Sequence, residues 1–309
     1  MRVGFSIPAT SANLGPGFDS FGIALKLYNK FEAELAADWL VEVEGEGEGY
    51  LSTGGDNQVA MAMATVFEVA GHPELCAHIW CQNRVPTGNG LGSSSTAIVG
   101  GALLARALLA EQGLPVPSDG EIFRITAKLE GHSDNVAPAL FGGFTVCYSR
   151  DDVLSYARFE PLRGLAAVVV PANGELSTAE SRDLLPHDVT HKDAAFNVAH
   201  AGLLAAAIVS GQPDLLGDAL QDRLHQPYRA QVIGDIEEIQ AIVRRAGCDG
   251  VALSGAGPTI IGLLAADTDE GAYERAVRVA AAAADEVRAL GTRRPPLPLE
   301  FSRVGSVRL

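Results

Sequence analysis

The chain has 309 residues, 47% of them hydrophobic and 20% charged, and a formal net charge of -15. That length allows two modest domains or one large one, and the composition supports a packed core and excludes wholesale disorder. A surface so acidic repels phosphate backbones and anionic lipids, so neither nucleic acid nor a membrane is an expected partner, and any bound anion must be held locally by backbone dipoles, arginines or a metal.

In chain order, 2–8 and about 21–35 read as strands, rich in apolar and β-branched residues. Between them "PATSANLGPGFDS" is a loop by composition. The spacing over 56–70 predicts a helix that Asp56 or Asn57 could cap and Gly71 could end. "EVEGEGEG" is an edge or turn, and "AHIWCQNRV" is a strand leading into "VPTGNGLGSSST" at 85–96. A deeply buried helix is expected over 94–111, capped by Ser93 or Ser94 and stopped at Gly113 before Pro115. A helix over 119–130 and the strand "FGGFTVCYS" follow.

From about 165 the rhythm changes. "LAAVVVP" is a buried strand, several helices occupy 178–246, and "GVALSG" and "PTIIGLLA" are strands joined by a glycine turn at 255–257. A long alanine-rich helix covers 270–289, and a last strand sits near 299–304. Without the inserted helices this is β-α-β-β-α-β, the split βαβ pattern of ferredoxin-like domains, with a domain boundary expected near residue 163. Cys76, Cys81, Cys147 and Cys248 form no C-x-x-C pair, so they read as reduced thiols of a cytoplasmic protein rather than zinc ligands. "MRVGFSIPAT" does not read as a signal peptide, and apolar runs such as "AGLLAAAIVS" fall short of a membrane span.

Four stretches hold candidate chemistry. The glycine loop before the buried helix presents unpaired N–H groups and a helix dipole, a setting for phosphate, although no lysine follows as in a Walker A loop and Ser93 stands where a dinucleotide fingerprint needs its third glycine. "LEGHSDNVAPALFGGF" places Glu130 near a helix C-terminus, where a bound Mg2+ would offset the unfavourable dipole, followed by His132, Asp134 and Asn135. On these residues alone Asp134 reads first as the cap of the helix containing Pro138, and His132 as a satisfied core residue. "LSGAGPT" at 253–259 reads as a plain turn or as a backbone segment closing over a phosphate, and Asn13 and Asp19 in the first loop read as turn residues or ligands.

Taken in order, "PATSANLGPGFDSFG", "PTGNGLGSSS", "EGHSDNVAP" and "LSGAGPT" resemble the motifs of the GHMP small-molecule kinases, and the first and third are similar to those of homoserine kinases. The resemblance implies an α+β fold of two domains, 1–163 a ribosomal S5 domain 2-like ATP-binding layer and 164–309 ferredoxin-like. It implies ATP:homoserine phosphotransfer with Mg2+, a cytoplasmic enzyme of threonine synthesis, and a homodimer. ATP contacts would come from Asn57 at the nucleoside and, along the loop, from Pro86, Thr87, Gly88, Asn89, Gly90, Leu91, Gly92, Ser93, Ser94, Ser95 and Thr96. Backbone amides would replace a lysine, since the chain has only Lys26, Lys30, Lys128 and Lys192.

By the same resemblance Ser94 and Glu130 match the Mg2+ ligands. Asn13, Asp19, His132, Asn135, Gly255 and Gly257 match the substrate site, with Asp19 suited to the ammonium of L-homoserine. "LSTAESRDLLP" and "RLHQPYRA" match segments that supply arginines for its carboxylate, here Arg182 and Arg229. An amide, Asn135, stands where mevalonate kinases carry a basic aspartate, so catalysis is expected to rest on alignment and charge neutralisation, with Asp19 as the fallback base. Thr87-Gly88-Asn89 departs from the bulkier or basic residues of many relatives, which bears on nucleotide preference. The alternatives are a kinase of another, mevalonate-type alcohol and a catalytically silent ligand sensor on the same fold.

Overall fold

A computed structural model describes residues 1–172, 178–210, 212–292 and 294–309, so the first residues of "LSTAESRDLLP" lie outside the described residues. Two sheets organise the chain. The first contains β1 (Val3–Ala12), β2 (Phe21–Ala36), β3 (Leu40–Gly45), β4 (Cys76–Asn83), β5 (Phe144–Arg150), β6 (Val153–Phe159) and β11 (Val307–Arg308). Its order is β11-β1-β2-β4-β3, with β5 beside β2 and β6 beside β5. The second holds β7 (Leu165–Val170), β8 (Gly250–Leu253), β9 (Ile260–Ala265) and β10 (Leu297–Glu300) in the antiparallel order β10-β7-β9-β8. That order is the split βαβ arrangement expected from the sequence.

Helices α1 (Gln58–Val69), α2 (Ser93–Glu111), α3 (Asp119–Glu130) and α4 (Val136–Phe141) accompany the first sheet. With the second come α5 (Thr178–Asp183), α6 (His191–Ser210), α7 (Leu216–Ala219), α8 (Gln226–Arg229), α9 (Ile236–Ala246) and α10 (Asp269–Ala289). One core lies between α1–α4 and the first sheet, around Ile7, Phe31, Met63, Ile79 and Leu104. A second lies against α9 and α10, around Val168, Ile239, Ile260 and Val279. Between them a shared core joins Ile23, Leu25 and Phe144 of the first sheet to Val169, Ile261 and Leu263 of the second, with Leu204 and Ile208 of α6. An apolar seam of this kind fixes the two sheets relative to one another. α2 and α6 are each long and apolar enough by composition to cross a membrane; α2 is instead mostly buried in the first core, and α6 seals the shared one.

Local chemistry explains the departures from expectation. β1 runs through Pro8–Ala12, which composition assigned to a loop. The register with β2 shifts at Pro8/Ala9, and an irregularity there accommodates a residue with no N–H. The hairpin β5–β6 turns on Asp151 and Asp152, both with positive φ, as a tight primed turn requires. "EVEGEGEG" begins inside β3, an edge strand parallel to β4. β10 starts earlier than 299 because Pro298 is tolerated in an edge strand. Neither Ser93 nor Ser94 caps α2: Gly92 is the N-cap, in the left-handed region, without a side-chain cap. Asn57 is the cap of α1, accepting from the Val59 N–H, and Ser118 with Glu121 forms a capping box on α3. Asp134 does not cap α4, whose N-cap is Asn135.

The packing of α2 against α1 is close enough to reverse an ordinary preference. Alanine is favoured over glycine in a helix by about 1 kcal/mol. A Cβ at Gly101, however, would lie 2.3 Å from the Val59 carbonyl oxygen, which is backbone and cannot swing away. Gly101→Ala is therefore expected to destabilise the protein by about 1–3 kcal/mol in urea unfolding. Gly202→Ala on α6, where a Cβ meets nothing within 4 Å, should stabilise it by about 0.5–1 kcal/mol.

Candidate active site

Residues from both sheets' loops converge on one cavity of about 430 Å³. One wall is the loop before α2. Gly88, Gly90 and Gly92 have φ of 66°, 68° and 66°, so left-handed turns alternate along it and aim successive N–H groups toward a common concavity. A Cβ at Gly92 would lie 2.0 Å from Thr10 Oγ1, and one at Gly90 2.3 Å from the Ser254 carbonyl oxygen. The second sheet's turn holds the loop: Ser254 Oγ donates to the Gly90 carbonyl at 2.6 Å, and the Gly255 N–H donates to the Ala12 carbonyl at 3.0 Å. Asn89 Nδ2 donates to the Thr87 carbonyl at 2.5 Å, and the Thr87 hydroxyl bonds that of Tyr50.

The serines that do not cap α2 are used elsewhere. Ser94 and Ser95 Oγ donate to the same oxygen, Glu130 Oε1, at 2.5 and 2.8 Å, and Ser93 Oγ donates to the Val85 carbonyl. The first-turn N–H groups of a 19-residue helix thus keep their partial positive charge without a side-chain acceptor. Glu130 ends α3, at the negative pole of that helix, with its side chain only 6% exposed. His132 Nε2 stands 3.6 Å from Glu130 Oε1, and His132 Nδ1 hydrogen-bonds Asp134 Oδ1 at 2.8 Å. Burial pulls the His132 imidazole down, but the hydrogen bond and charge of Asp134, with Glu130, outweigh it and hold the group above the ordinary histidine range. A nearly buried carboxylate beside two hydroxyls is a hard-oxygen set that suits Mg2+. Among the described residues no group of three or more His, Cys, Asp or Glu forms a metal cage, so remaining ligands to an ion here would be water or phosphate oxygens.

The opposite part of the lining carries the charges. Asn13, Leu14 and Asp19 have positive φ; Asn13 Nδ2 donates to the Gly255 carbonyl at 2.8 Å, and Asn13 Oδ1 accepts from the Asp19 N–H at 2.9 Å. Asp19 and Arg182 form a bidentate pair, both bonds 2.8 Å, each side chain about 40% exposed. Arg229 is almost fully buried: Nη1 donates to the Gly255 carbonyl at 3.1 Å and to His225 Nδ1 at 3.0 Å, while Nε has no partner among the described residues. Burial pushes its pKa down to about 10. Asn135 Oδ1 accepts from Thr10 Oγ1 at 2.8 Å.

Of the residues singled out in the sequence, Asn13, Asp19, Asn57, Thr87, Gly88, Asn89, Gly90, Gly92, Ser93, Ser94, Glu130, His132, Asn135, Arg182, Arg229, Gly255 and Gly257 line this cavity. Pro86, Leu91, Ser95 and Thr96 do not: Leu91 enters the shared core, and Thr96 Oγ1 bonds Asn29 Nδ2 and the Ser93 carbonyl. Asn57 spends its side chain on the α1 cap and the Ser52 carbonyl. Asp134, which the sequence leaves between a helix cap and a member of the Glu130 group, lines the cavity and is 3% exposed. The motifs do not mark His225, although its position four residues before Arg229 places the two side chains within reach of one another.

Comparison with known proteins agrees with this geometry. Residues 57–143 match the model of the GHMP kinases N terminal domain, and residues 204–285 that of the GHMP kinases C terminal region. Homoserine kinase from Symbiobacterium thermophilum is 44% identical over 81% of this chain and 79% of its own length. That from Caldicellulosiruptor bescii is 40% identical over 92% and 91%. A crystal structure of homoserine kinase from Cytophaga hutchinsonii superposes with a TM-score of 0.85, covering 100% of this chain and 97% of that one at 24% identity. L. major mevalonate kinase in complex with R-mevalonate gives 0.70, covering 97% and 95% at 15% identity, a likeness of fold.

The Asp19–Arg182 pair is too exposed to carry the fold. Arg182→Gln should change the free energy of unfolding by at most about 1 kcal/mol in a denaturant titration. A larger loss would make the pair a structural element rather than part of a ligand site.

Proposed function

The chain belongs to the GHMP kinase family, and within it to the homoserine kinases, and from that premise we propose that it transfers the γ-phosphoryl group of ATP to the side-chain hydroxyl of L-homoserine, the phosphorylation that commits this amino acid to threonine synthesis. The carrying observation is a single cavity that joins the uncapped start of α2 to two arginines and an aspartate. Residues 88–94 cradle the polyphosphate with backbone N–H groups, and the nucleoside lies toward Leu51, Asn57 and Asn83. Ser94 and Glu130 hold Mg2+, which neutralises charge on the phosphates when bound.

Homoserine is a zwitterion, and the site is organised for one. Asp19 and Arg182 pair with each other in the cavity lining. A ligand with one charge of each sign exchanges that pair for two new ones, its ammonium on Asp19 and its carboxylate on Arg182 and Arg229, without stranding either side chain. Mevalonate has no ammonium, so it would leave Asp19 uncompensated. Among the described residues the four carboxylates of the lining are engaged: Glu130 by two serines, Asp134 by His132 and the Asn135 N–H, Asp19 by Arg182 and Asp56 by the Ser52 hydroxyl. Asn135 carries no titratable group. Transfer therefore rests on in-line alignment and charge neutralisation, which a loose phosphoryl-transfer transition state permits without a general base. The chain divides near residue 163, and we place the enzyme in the cytoplasm, free of nucleic acid and membrane, with a homodimer as its assembly.

ADP release measured with L-homoserine, L-serine, mevalonate and galactose tests the reading. Turnover is expected with L-homoserine and not with mevalonate or galactose; efficient mevalonate turnover would overturn the substrate assignment. In the same assay Asp19→Asn should raise the homoserine KM and lower kcat by less than about a hundredfold, since a general base supplies about 10²–10⁴. Abolished turnover at saturating homoserine would make Asp19 the base.

A further inference from the structure

His225 lies outside the cavity lining and is completely buried, yet both ring nitrogens are committed. Nε2 is 2.8 Å from the Gly15 carbonyl oxygen, which can only accept, so Nε2 carries the proton. Nδ1 is 3.0 Å from Arg229 Nη1, which can only donate, so Nδ1 presents its lone pair. The ring is thus neutral and in one tautomer. Burial holds its pKa down at about 4, against the opposing charge of the Asp222 carboxylate 3.6 Å from Nε2, and the charge of Arg229 works with burial. The ring also stacks on Phe18, with centroids 5.4 Å apart, and Phe18 lies under the guanidinium groups of Arg182 and Arg229.

The backbone around this imidazole is fixed from both sides. Asp222 accepts from the N–H groups of Leu224, His225 and Gln226 at 2.9, 3.0 and 2.7 Å, and from Asn197 Nδ2 at 2.8 Å. Gly15, at φ +71°, is pressed against Leu220, whose carbonyl oxygen would stand 2.4 Å from a Cβ there. The ring therefore bridges two rigid points, the loop that carries Asn13 and Asp19 and the helix that carries Arg229. A neutral acceptor suits this place better than a carboxylate, because it orients the guanidinium without neutralising it.

We propose that His225 is a positioning residue for substrate recognition: its Nδ1 lone pair holds Arg229 Nη1 so that the guanidinium is turned to the carboxylate of the amino-acid substrate. The inference rests on the reading of Arg229 given above. It assigns His225 no contact with substrate and no proton transfer.

Two amide variants separate the two bonds. The Oδ1 of His225→Asn reaches the place of Nδ1 and can accept from Arg229, but its side chain is too short to reach Gly15. The Nε2 of His225→Gln reaches the place of Nε2 and keeps the Gly15 bond while losing the acceptor for Arg229. Steady-state kinetics with L-homoserine and ATP should give a homoserine KM within about threefold of the parent for His225→Asn and raised about tenfold or more for His225→Gln, with the ATP KM unchanged in both. A merely structural histidine would move both KM values together or fail equally in both variants, and that result, or a parental homoserine KM in His225→Gln, overturns the proposal. Arg229→Ala in the same assay separates the two failures: a raised homoserine KM there with a parental His225→Gln rejects only the role of His225, whereas an unchanged KM in Arg229→Ala rejects the carboxylate assignment as well.

Discussion

The fold depends at its centre on a helix that begins without a cap. A buried helix start normally borrows a serine, threonine or aspartate oxygen to satisfy its first N–H groups. Here three serines occupy the first turn of α2 and none does so, because Ser94 and Ser95 are drawn to Glu130 and Ser93 to the Val85 carbonyl. Unpaired donors inside a protein are costly unless something meets them. The left-handed glycines at 88, 90 and 92 open the space in which an anion can meet them, and the turn after β8 locks that space through Ser254 and Gly255. The apolar seam between the sheets keeps those two elements in register, so the turn of the second sheet shapes the phosphate loop, through the Ser254 hydroxyl and the backbone around Gly255.

The electrostatics follow from the same economy. A chain of net charge -15 repels polyanions at long range. At the cavity that field is offset locally by aligned peptide dipoles and by two arginines held in different ways. Arg182 is half exposed and neutralised by Asp19, so it is available for exchange. Arg229 is buried and kept cationic among neutral partners, a carbonyl and an imidazole. The first discriminates by requiring a ligand that replaces its partner, and the second supplies a fixed anion-binding group whose burial strengthens any bond made to it.

Long periodic segments and contiguous motifs were readable in the sequence. The ferredoxin-like strand order, α2 as a core helix and the identity of the cavity's glycine wall all follow from hydrophobic runs, glycine spacing and family resemblance. Features set by non-local partners were not. β11 exists only because Val307 and Arg308 pair with Phe5 and Ser6 some three hundred residues away. β6 was hidden because its turn uses Asp151-Asp152 rather than a glycine. The serines of α2 read as caps because nothing local reveals that Glu130 claims two of their hydroxyls. Asp134 reads locally as a helix cap, and its bonds to His132 and the Asn135 N–H are local, but only the fold puts it on the cavity wall. His225 gives no local sign of its bond to the Gly15 carbonyl, 210 residues away.

The most direct test is a crystal structure with a nonhydrolysable ATP analogue and Mg2+. The account predicts the β- and γ-phosphates against the N–H groups of residues 88–94, with the ion between the phosphates and the oxygens of Ser94 and Glu130. A polyphosphate seated on Arg182 and Arg229, with the start of α2 left in contact with solvent alone, would contradict it.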